Sequence, residues 1–444
     1  MAGRRTRPAA EPVGAARGGL RTTHTGVTGQ TFADAPPRGA LKLLIDPAFG
    51  ALFWGKLLTT FGMWTHSMVA AIVMYAATGS ALMVGLLGVA QFGLQILLNP
   101  LSGKLADRGD AVRQVVVGRL VCFAGSGSLA VLSALSGDAN GYAVAVPLLA
   151  GTTVVGLGFV IGGPAMQSVV PTLLRPGELS TAMALNTVPL TAARMVGPLM
   201  GAFLVARLGP TPAFAISAVA HLVFVVLIVA ARFPRTPGHR PDVDYRVSAG
   251  LRYVWADRPL FLMLVAVAVV GFGSDPSMTL APAMADELGG GTHLVGALTA
   301  AFGAGAAVGL VALAALRSRM SSAVTASVGL WSIGAGLAVV GVSASPAMAL
   351  AGFATSGCGF SLGLTGLSTL VQARAPDDFR GRIMALWLVG FLGSRPVAAG
   401  LLGATADLTA VGVAFGVAAA VVLAAATVCR PSRLSRPGPV PIRV

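Results

Sequence analysis

Twelve apolar runs, each of about 20 residues or more, dominate the chain, at 48–76, 82–105, 114–135, 143–169, 181–206, 211–231, 259–283, 294–316, 322–343, 346–372, 383–406 and 409–429. A helix rises about 1.5 Å per residue, so each run is long enough to cross a hydrocarbon core about 30 Å thick. An all-α membrane protein of twelve transmembrane helices is therefore expected. Composition agrees: 55% of the 444 residues are apolar and only 11% are charged, against about 25% charged in soluble domains.

A net charge of +15 would point to nucleic acid in a soluble chain, but here the basic residues fall in short segments between runs. With both termini cytoplasmic, 26 of the 31 Lys and Arg lie on the cytoplasmic side, and Arg207 is alone in the outer loops. That asymmetry predicts a multi-pass protein of the cytoplasmic (inner) membrane with both ends inside. Its expected partner is membrane lipid, not nucleic acid. Residues 1–45, with seven Lys and Arg against two acids, read as a disordered basic tail that touches anionic lipid. No apolar run precedes residue 48, so no cleavable signal peptide is expected. Residues 431–444 form a second cytoplasmic tail.

Catalytic and metal chemistry find little support. Cys122, Cys358 and Cys429 lie in or at the end of apolar runs with no CxxC spacing, so neither a disulfide framework nor a metal site is expected. Gly156-Leu157-Gly158 sits inside an apolar span with no strand before it and no Walker lysine. The five histidines are scattered, and no nucleophile, base and orienting acid come together. The chain is read as a non-enzyme that needs no cofactor.

The sequence also repeats itself. Residues n and n+201 give eleven identities between 156 and 196, including Gly156/Gly357, Gly158/Gly359, Phe159/Phe360, Gly162/Gly363 and Arg194/Arg395. Nearer the start of each half the offset is 211, pairing Asp46 with Asp257, Gly85 with Gly296 and Arg108 with Arg319. Two pseudo-symmetric six-helix halves are expected, 46–231 and 257–430, joined by a cytoplasmic linker at 232–256. Parallel six-helix halves around a central cavity are the architecture of major facilitator transporters.

Several motifs carry that likeness further. Gly103-Lys104-Leu105-Ala106-Asp107-Arg108-Gly109-Asp110-Ala111-Val112-Arg113 resembles the loop signature between spans 2 and 3 of the major facilitator superfamily. Ala193-Arg194-Met195-Val196-Gly197-Pro198-Leu199-Met200-Gly201 resembles the span 5 motif of its drug/proton antiporters. Thr78-Gly79-Ser80, Ala184-Leu185-Asn186 and Arg380-Gly381-Arg382-Ile383-Met384 are similar to the branch that contains enterobactin and macrolide exporters. The resemblance spans roughly residues 46–425 and implies proton-driven efflux, the activity behind multidrug resistance. Ala111, Val112 and Ala193 depart from the motifs.

Within this frame the candidate residues fall into groups. Gly103, Asp107, Arg108 and Arg113 form the expected cytoplasmic gate, with Asp107 facing a basic partner or the start of span 11; the alternative is that Asp107 and Asp110 merely cap a tight turn, a reading that suits Asp110 better than Asp107. Arg194 and Arg395 lie about twelve residues into spans 5 and 11, where an unpaired guanidinium is costly, so they should face the cavity or a neighbouring helix. Asn186 shares a face with Arg194, as Trp387 and Phe391 do with Arg395. Gly197, Pro198 and Gly201 complete the span 5 motif.

Asp275 is the embedded acid best suited to carry a proton, but Ser274-Asp275-Pro276 also reads as a cap at a helix break. His66, near the outer end of span 1 and read as interfacial, is a secondary proton candidate, as is Lys56. Gln91, Gln95 and Asn99 make a polar stripe on span 2, expected to face the cavity or another helix. Trp64, Met63, Met68, Phe272 and Met278 are candidates for an adaptable apolar wall.

The expected function is a monomeric secondary transporter that exports a small, partly apolar molecule, drug-like, macrolide-like or siderophore-like, against protons by alternating access. A flippase for lysophospholipids or other amphiphiles is the alternative, with a non-transporting membrane sensor behind it.

Overall fold

The computed structural model describes residues 37–135, 140–233, 247–316, 319–376 and 380–435. Twelve long helices account for nearly all of them: α1 (Phe49–Thr78), α2 (81–108), α3 (Ala111–Leu135), α4 (Tyr142–Leu173), α5 (Leu179–Leu208), α6 (Pro210–Ala230), α7 (258–287), α8 (Gly291–Leu316), α9 (Ser322–Gly341), α10 (Pro346–Arg374), α11 (Arg380–Leu408) and α12 (Val411–Val428). Each coincides with one predicted run, and eleven of them contain a stretch long and apolar enough to cross a membrane. The twelfth, α2, is interrupted: Ala81–Gly88 and Leu94–Arg108 are joined by a π-helical turn, Val89–Gly93. No strand occurs among the described residues.

Local chemistry sets the helix ends. Thr78-Gly79-Ser80 turns the chain from α1 into α2, because Gly79 takes the left-handed conformation at φ 64° and ends α1. The Ser80 hydroxyl then accepts from the Met83 N–H at 3.1 Å and starts α2. The repeat partners Asp46 and Asp257 play matching parts. Asp46 accepts from the Phe49 N–H at 2.9 Å, and Asp257 from the Leu260 N–H at 3.2 Å. Each also holds an arginine, Arg38 for Asp46 and Arg374 for Asp257.

Helices α1 to α6 pack mainly on one another, with close pairs α1·α5, α1·α6, α3·α4 and α3·α6, and α7 to α12 pack likewise through α8·α10, α9·α10, α9·α12 and α7·α11. Glycines make these approaches possible, as small residues do between membrane helices. A Cβ on Gly158 would fall 2.5 Å from the Gly118 carbonyl oxygen of α3, and one on its repeat partner Gly359 would fall 2.6 Å from the Gly329 oxygen of α9. Gly156 meets the backbone of α2 at Gln91, and its partner Gly357 meets that of α8 at Phe302.

The two six-helix groups meet along α2·α11 and α5·α8. The contact is concentrated toward the face opposite the chain ends. A Cβ on Gly403 would lie 2.6 Å from the Ala81 oxygen, and Ala81–Gly93 packs on α11 where Leu94–Arg108 barely touches it. At that far face Asp407, at the end of α11, accepts from the Ala81 and Leu82 N–H groups at 2.7 and 3.1 Å and from the Ser80 hydroxyl at 2.5 Å.

The tail expected over 1–45 is corrected at its end. Residues 37–45 are folded, with a short helix at Ala40–Leu44 whose Leu43 is fully buried. Arg38 pairs with Asp46 and, at 2.8 Å, with Glu178 ahead of α5, and donates to the Leu173 oxygen. Glu178 and Leu173, more than 100 residues away, are invisible to a local composition argument. Burial pushes the Glu178 carboxyl up, but hydrogen bonds from the Arg38 side chain and from the Arg175 and Arg38 N–H groups, together with the Arg38 charge, outweigh it and hold the group down at about 2. The end of the expected linker is likewise helical, at Val247–Ala256. Residues 1–36, 234–246 and 436–444, the rest of the tails and linker, lie outside the described residues.

Candidate transport site

The centre of the bundle is built where α7 breaks. Arg258–Ser274 ends at Asp275, and Pro276, which has no N–H to donate, opens the next short segment. The break expected at Ser274-Asp275-Pro276 is present, but the Asp275 side chain does not cap it. Its carboxylate instead accepts from the Thr279 hydroxyl at 2.7 Å and faces Arg395 Nε at 3.7 Å. Asp275 and Arg395 are both buried. Gly271 brings them together: a side chain there would strike the Phe391 oxygen and the Ser394 hydroxyl, so only glycine allows α7 this close to α11.

Arg194 reaches the same centre from α5 in the other group. Its Nη2 donates to the Ser274 hydroxyl at 3.1 Å, and its guanidinium carbon lies 4.2 Å from the Phe360 ring centre and 5.0 Å from that of Phe391. Trp64 of α1 stands near both arginines, 5.6 Å from the Arg194 guanidinium and 5.2 Å from that of Arg395, which also lies 5.3 Å from Phe92. A guanidinium over a ring face gains about 0.5–2 kcal/mol, more where water is excluded. The span 5 motif places Trp64: a Cβ on Gly197 would sit 2.5 Å from the Trp64 Cβ, and one on Gly201 would sit 2.8 Å from the Thr65 oxygen.

Between these side chains lies a cavity of about 20 Å³, lined by Trp64, Arg194, Pro198, Ser274, Ser277, Met278, Thr299, Phe302 and Arg395. That is room for about one water molecule, so no larger ligand fits between these side chains as they stand.

The remaining candidates divide between this centre and its surroundings. Trp387 stacks on Phe391 with ring centres 5.6 Å apart. Gln91 is buried in the π-helical turn and accepts from the Ser67 hydroxyl at 2.8 Å. Gln95 donates back to the Gln91 oxygen at 3.5 Å, and Asn99 is half-buried farther along α2. Phe272 packs with the apolar core of α7 to α12 and does not line the cavity. Asn186 accepts from Lys56 Nζ at 2.7 Å and donates to Gln167 at 2.7 Å.

His66, read as interfacial, is fully buried, between the Ser126 hydroxyl at 3.0 Å and Thr152 at 3.3 Å. The turn of α1 that carries it faces α3 and α4, whose hydroxyls satisfy the ring. At the tail end of α2, Gly103 is half-buried and Arg113 exposed, while Asp110 caps α3 by accepting from the Arg113 N–H at 3.1 Å. The side chains of Asp107 and Arg108 lie outside the described residues.

Three contributors escape a sequence reading. Arg119 of α3 is fully buried, donating to the Thr59 hydroxyl at 3.2 Å beneath the Phe159 ring. Its signal was a lone cation eight residues into α3. Asp407 gave a similar cue as an acid at the end of α11, whereas Thr279 gave none.

Known proteins agree with this architecture. The family described as "Transmembrane secretion effector" matches residues 39–437. The enterobactin exporter EntS of Salmonella choleraesuis (strain SC-B67) is 23% identical over 368 residues, 81% of this chain and 86% of its own. EntS of Escherichia coli O1:K1 / APEC is 24% identical over the same shares. Among solved structures, the peptide transporter POT in complex with sulfate superimposes with a TM-score of 0.67 at 17% identity, covering 90% of this chain and 96% of that one. A variant of the nucleoside transporter NupG gives 0.68 at 10% identity, covering 88% and 98%. A bundle of twelve helices, a family match over nearly the whole chain and solved transporters of the same fold lead to one assignment: the chain is a multi-pass membrane transporter of the major facilitator superfamily, and belongs to its transmembrane secretion effector family.

Proposed function

We propose that this transporter is a proton-coupled exporter of a small, partly apolar molecule. Its place is the cytoplasmic membrane, with both termini in the cytoplasm, and it works as a monomer without a cofactor. The observation that carries the reading is Asp275: a buried carboxyl at a break in α7, with Thr279 as its hydrogen-bond donor and Arg395 as its counter-charge. A carboxyl so placed has two states with different consequences. Ionised, it balances Arg395; protonated, it leaves that guanidinium without a counter-charge at the seam where Trp64 and Arg194 of one half meet Ser274, Phe391 and Arg395 of the other. Proton loading thereby changes how the halves hold each other, which is what coupling requires.

Contacts concentrated on one side support alternating access. The far face, held by Asp407 on α2, is closed. Opening it requires those hydrogen bonds to break while the tail-face gate at Gly103, Asp107, Arg108 and Arg113 closes. The outward direction is supported by the names of the enterobactin exporters that the chain resembles.

The test is accumulation of fluorescent dyes, macrolides and siderophores in cells with and without the protein, repeated after collapse of the proton gradient. Lower accumulation on expression, restored by the collapse, is expected. Lower accumulation that survives the collapse would remove proton coupling, and unchanged accumulation of every compound would count against export.

A further inference from the structure

Two residues that line the central cavity carry buried donors with no hydrogen-bond acceptor, Trp64 through Nε1 and Arg395 through Nε and Nη1. Beyond the lining, Trp387 Nε1, on the ring stacked against Phe391, and Gln91 Nε2, in the π-helical turn, are buried and unpartnered too. Arg395 approaches Asp275 only to 3.7 Å, beyond hydrogen-bond length. Leaving one buried donor unpaired is unfavourable, and leaving three on the walls of one cavity calls for a species that supplies acceptors.

Charge and ring geometry point the same way. Two guanidinium groups, Arg194 and Arg395, share the centre with one carboxylate, Asp275, and among the described residues no other acid stands there. Four of the rings at this centre already lie beside those guanidinium groups, Phe360 and Phe391 beside Arg194 and Trp64 and Phe92 beside Arg395. An incoming ammonium would have to displace one of them and sit next to the other. An aromatic ring bearing carbonyl, ether or carboxylate oxygens meets no such obstacle: its edge takes the free N–H groups and its plane stacks among the existing rings.

We infer that the ligand of the central site is an aromatic molecule that presents hydrogen-bond acceptors and carries no positive charge. The inference rests on the transport reading above and narrows its substrate class. Because the cavity holds only about one water in this conformation, binding goes with separation of α7 and α11 from α1 and α5.

The test uses the full-length protein in detergent and equilibrium dialysis of three labelled probes of one shape: naphthamide, naphthoate and naphthylmethylammonium. Naphthamide and naphthoate are expected to bind at least tenfold more tightly than the ammonium. Trp387→Phe and Trp64→Phe each remove one donor and keep a ring, and each should weaken naphthamide about fivefold. Trp331→Phe, at an exposed position, should leave binding unchanged. Using two donor variants guards against one of them misfolding. An ammonium probe that binds as tightly as the amide, or amide binding indifferent to both donor variants, overturns the inference.

The outcomes separate it from the export reading. Selective binding of amide and carboxylate without any change in cellular accumulation leaves this inference standing and counts against export. Export of cationic dyes together with preferred ammonium binding does the reverse.

Discussion

The Asp407 carboxylate accepts the Ala81 backbone N–H at 2.7 Å, so that the last turn of α11 caps the first turn of α2 across the seam between the halves. Negative charge at a helix start is favourable because the first N–H groups have no partner within the helix.

Removing the far-face cap is expected to favour the far-open state. Capping and helix-end charge together contribute about 1–2 kcal/mol, a five- to thirty-fold change in the ratio of closed to open. Ala399 is fully buried against Gly85, so a cysteine placed there by Ala399→Cys reports opening. Its alkylation by a membrane-impermeant maleimide should be several-fold faster with Asp407→Ala. An unchanged rate would show that Asp407 does not hold this face.

Substitution at helix glycines should be costly where backbones touch and tolerated where they do not. Gly357→Ala drives a methyl into the Phe302 carbonyl of α8, whereas Gly416 has nothing within 4 Å of its Cβ position. Overpacking of this kind costs about 1–3 kcal/mol. A clear drop in Tm is expected for Gly357→Ala in detergent, with none for Gly416→Ala, which adds helix propensity.

The Glu178 carboxyl, held at about 2 against its usual 4.5, predicts the acid behaviour of the tail face. A lowered folded-state value means that its stabilising contribution is present above 4.5 and fades as pH falls from there toward 2. Thermal unfolding followed from neutral pH downward should show a loss of stability within that window. Glu178→Gln should be less stable at neutral pH and should show a smaller loss on acidification. A variant whose acid profile matches the parent's would assign the loss to other groups.

Much of the architecture was legible in advance because lipid imposes one solution on apolar runs of this length. The repeat carried further, to the matched packing of Gly158 and Gly359 and to the matched caps of Asp46 and Asp257. The meeting of Arg194, Asp275 and Arg395 was legible only in part. Each stood out as a charge inside a span, but which helix faced which depends on Gly271 and Gly197 admitting close neighbours. Polar residues that bond within their own half misled the reading most. Asn186, grouped by periodicity with Arg194, bonds to Lys56 and Gln167, and His66, expected at the interface, sits between two hydroxyls. Single-helix periodicity shows that such a residue faces protein, not which protein surface it faces.

Reconstitution of an Asp275→Asn variant separates proton coupling from substrate binding. In proteoliposomes exchange of labelled for unlabelled substrate is expected to continue, because Arg194, Arg395 and their aromatic neighbours still form the site, while accumulation driven by an imposed pH gradient falls to the level of empty vesicles. Gradient-driven accumulation retained at the parent's rate in that variant would contradict Asp275 as the proton carrier.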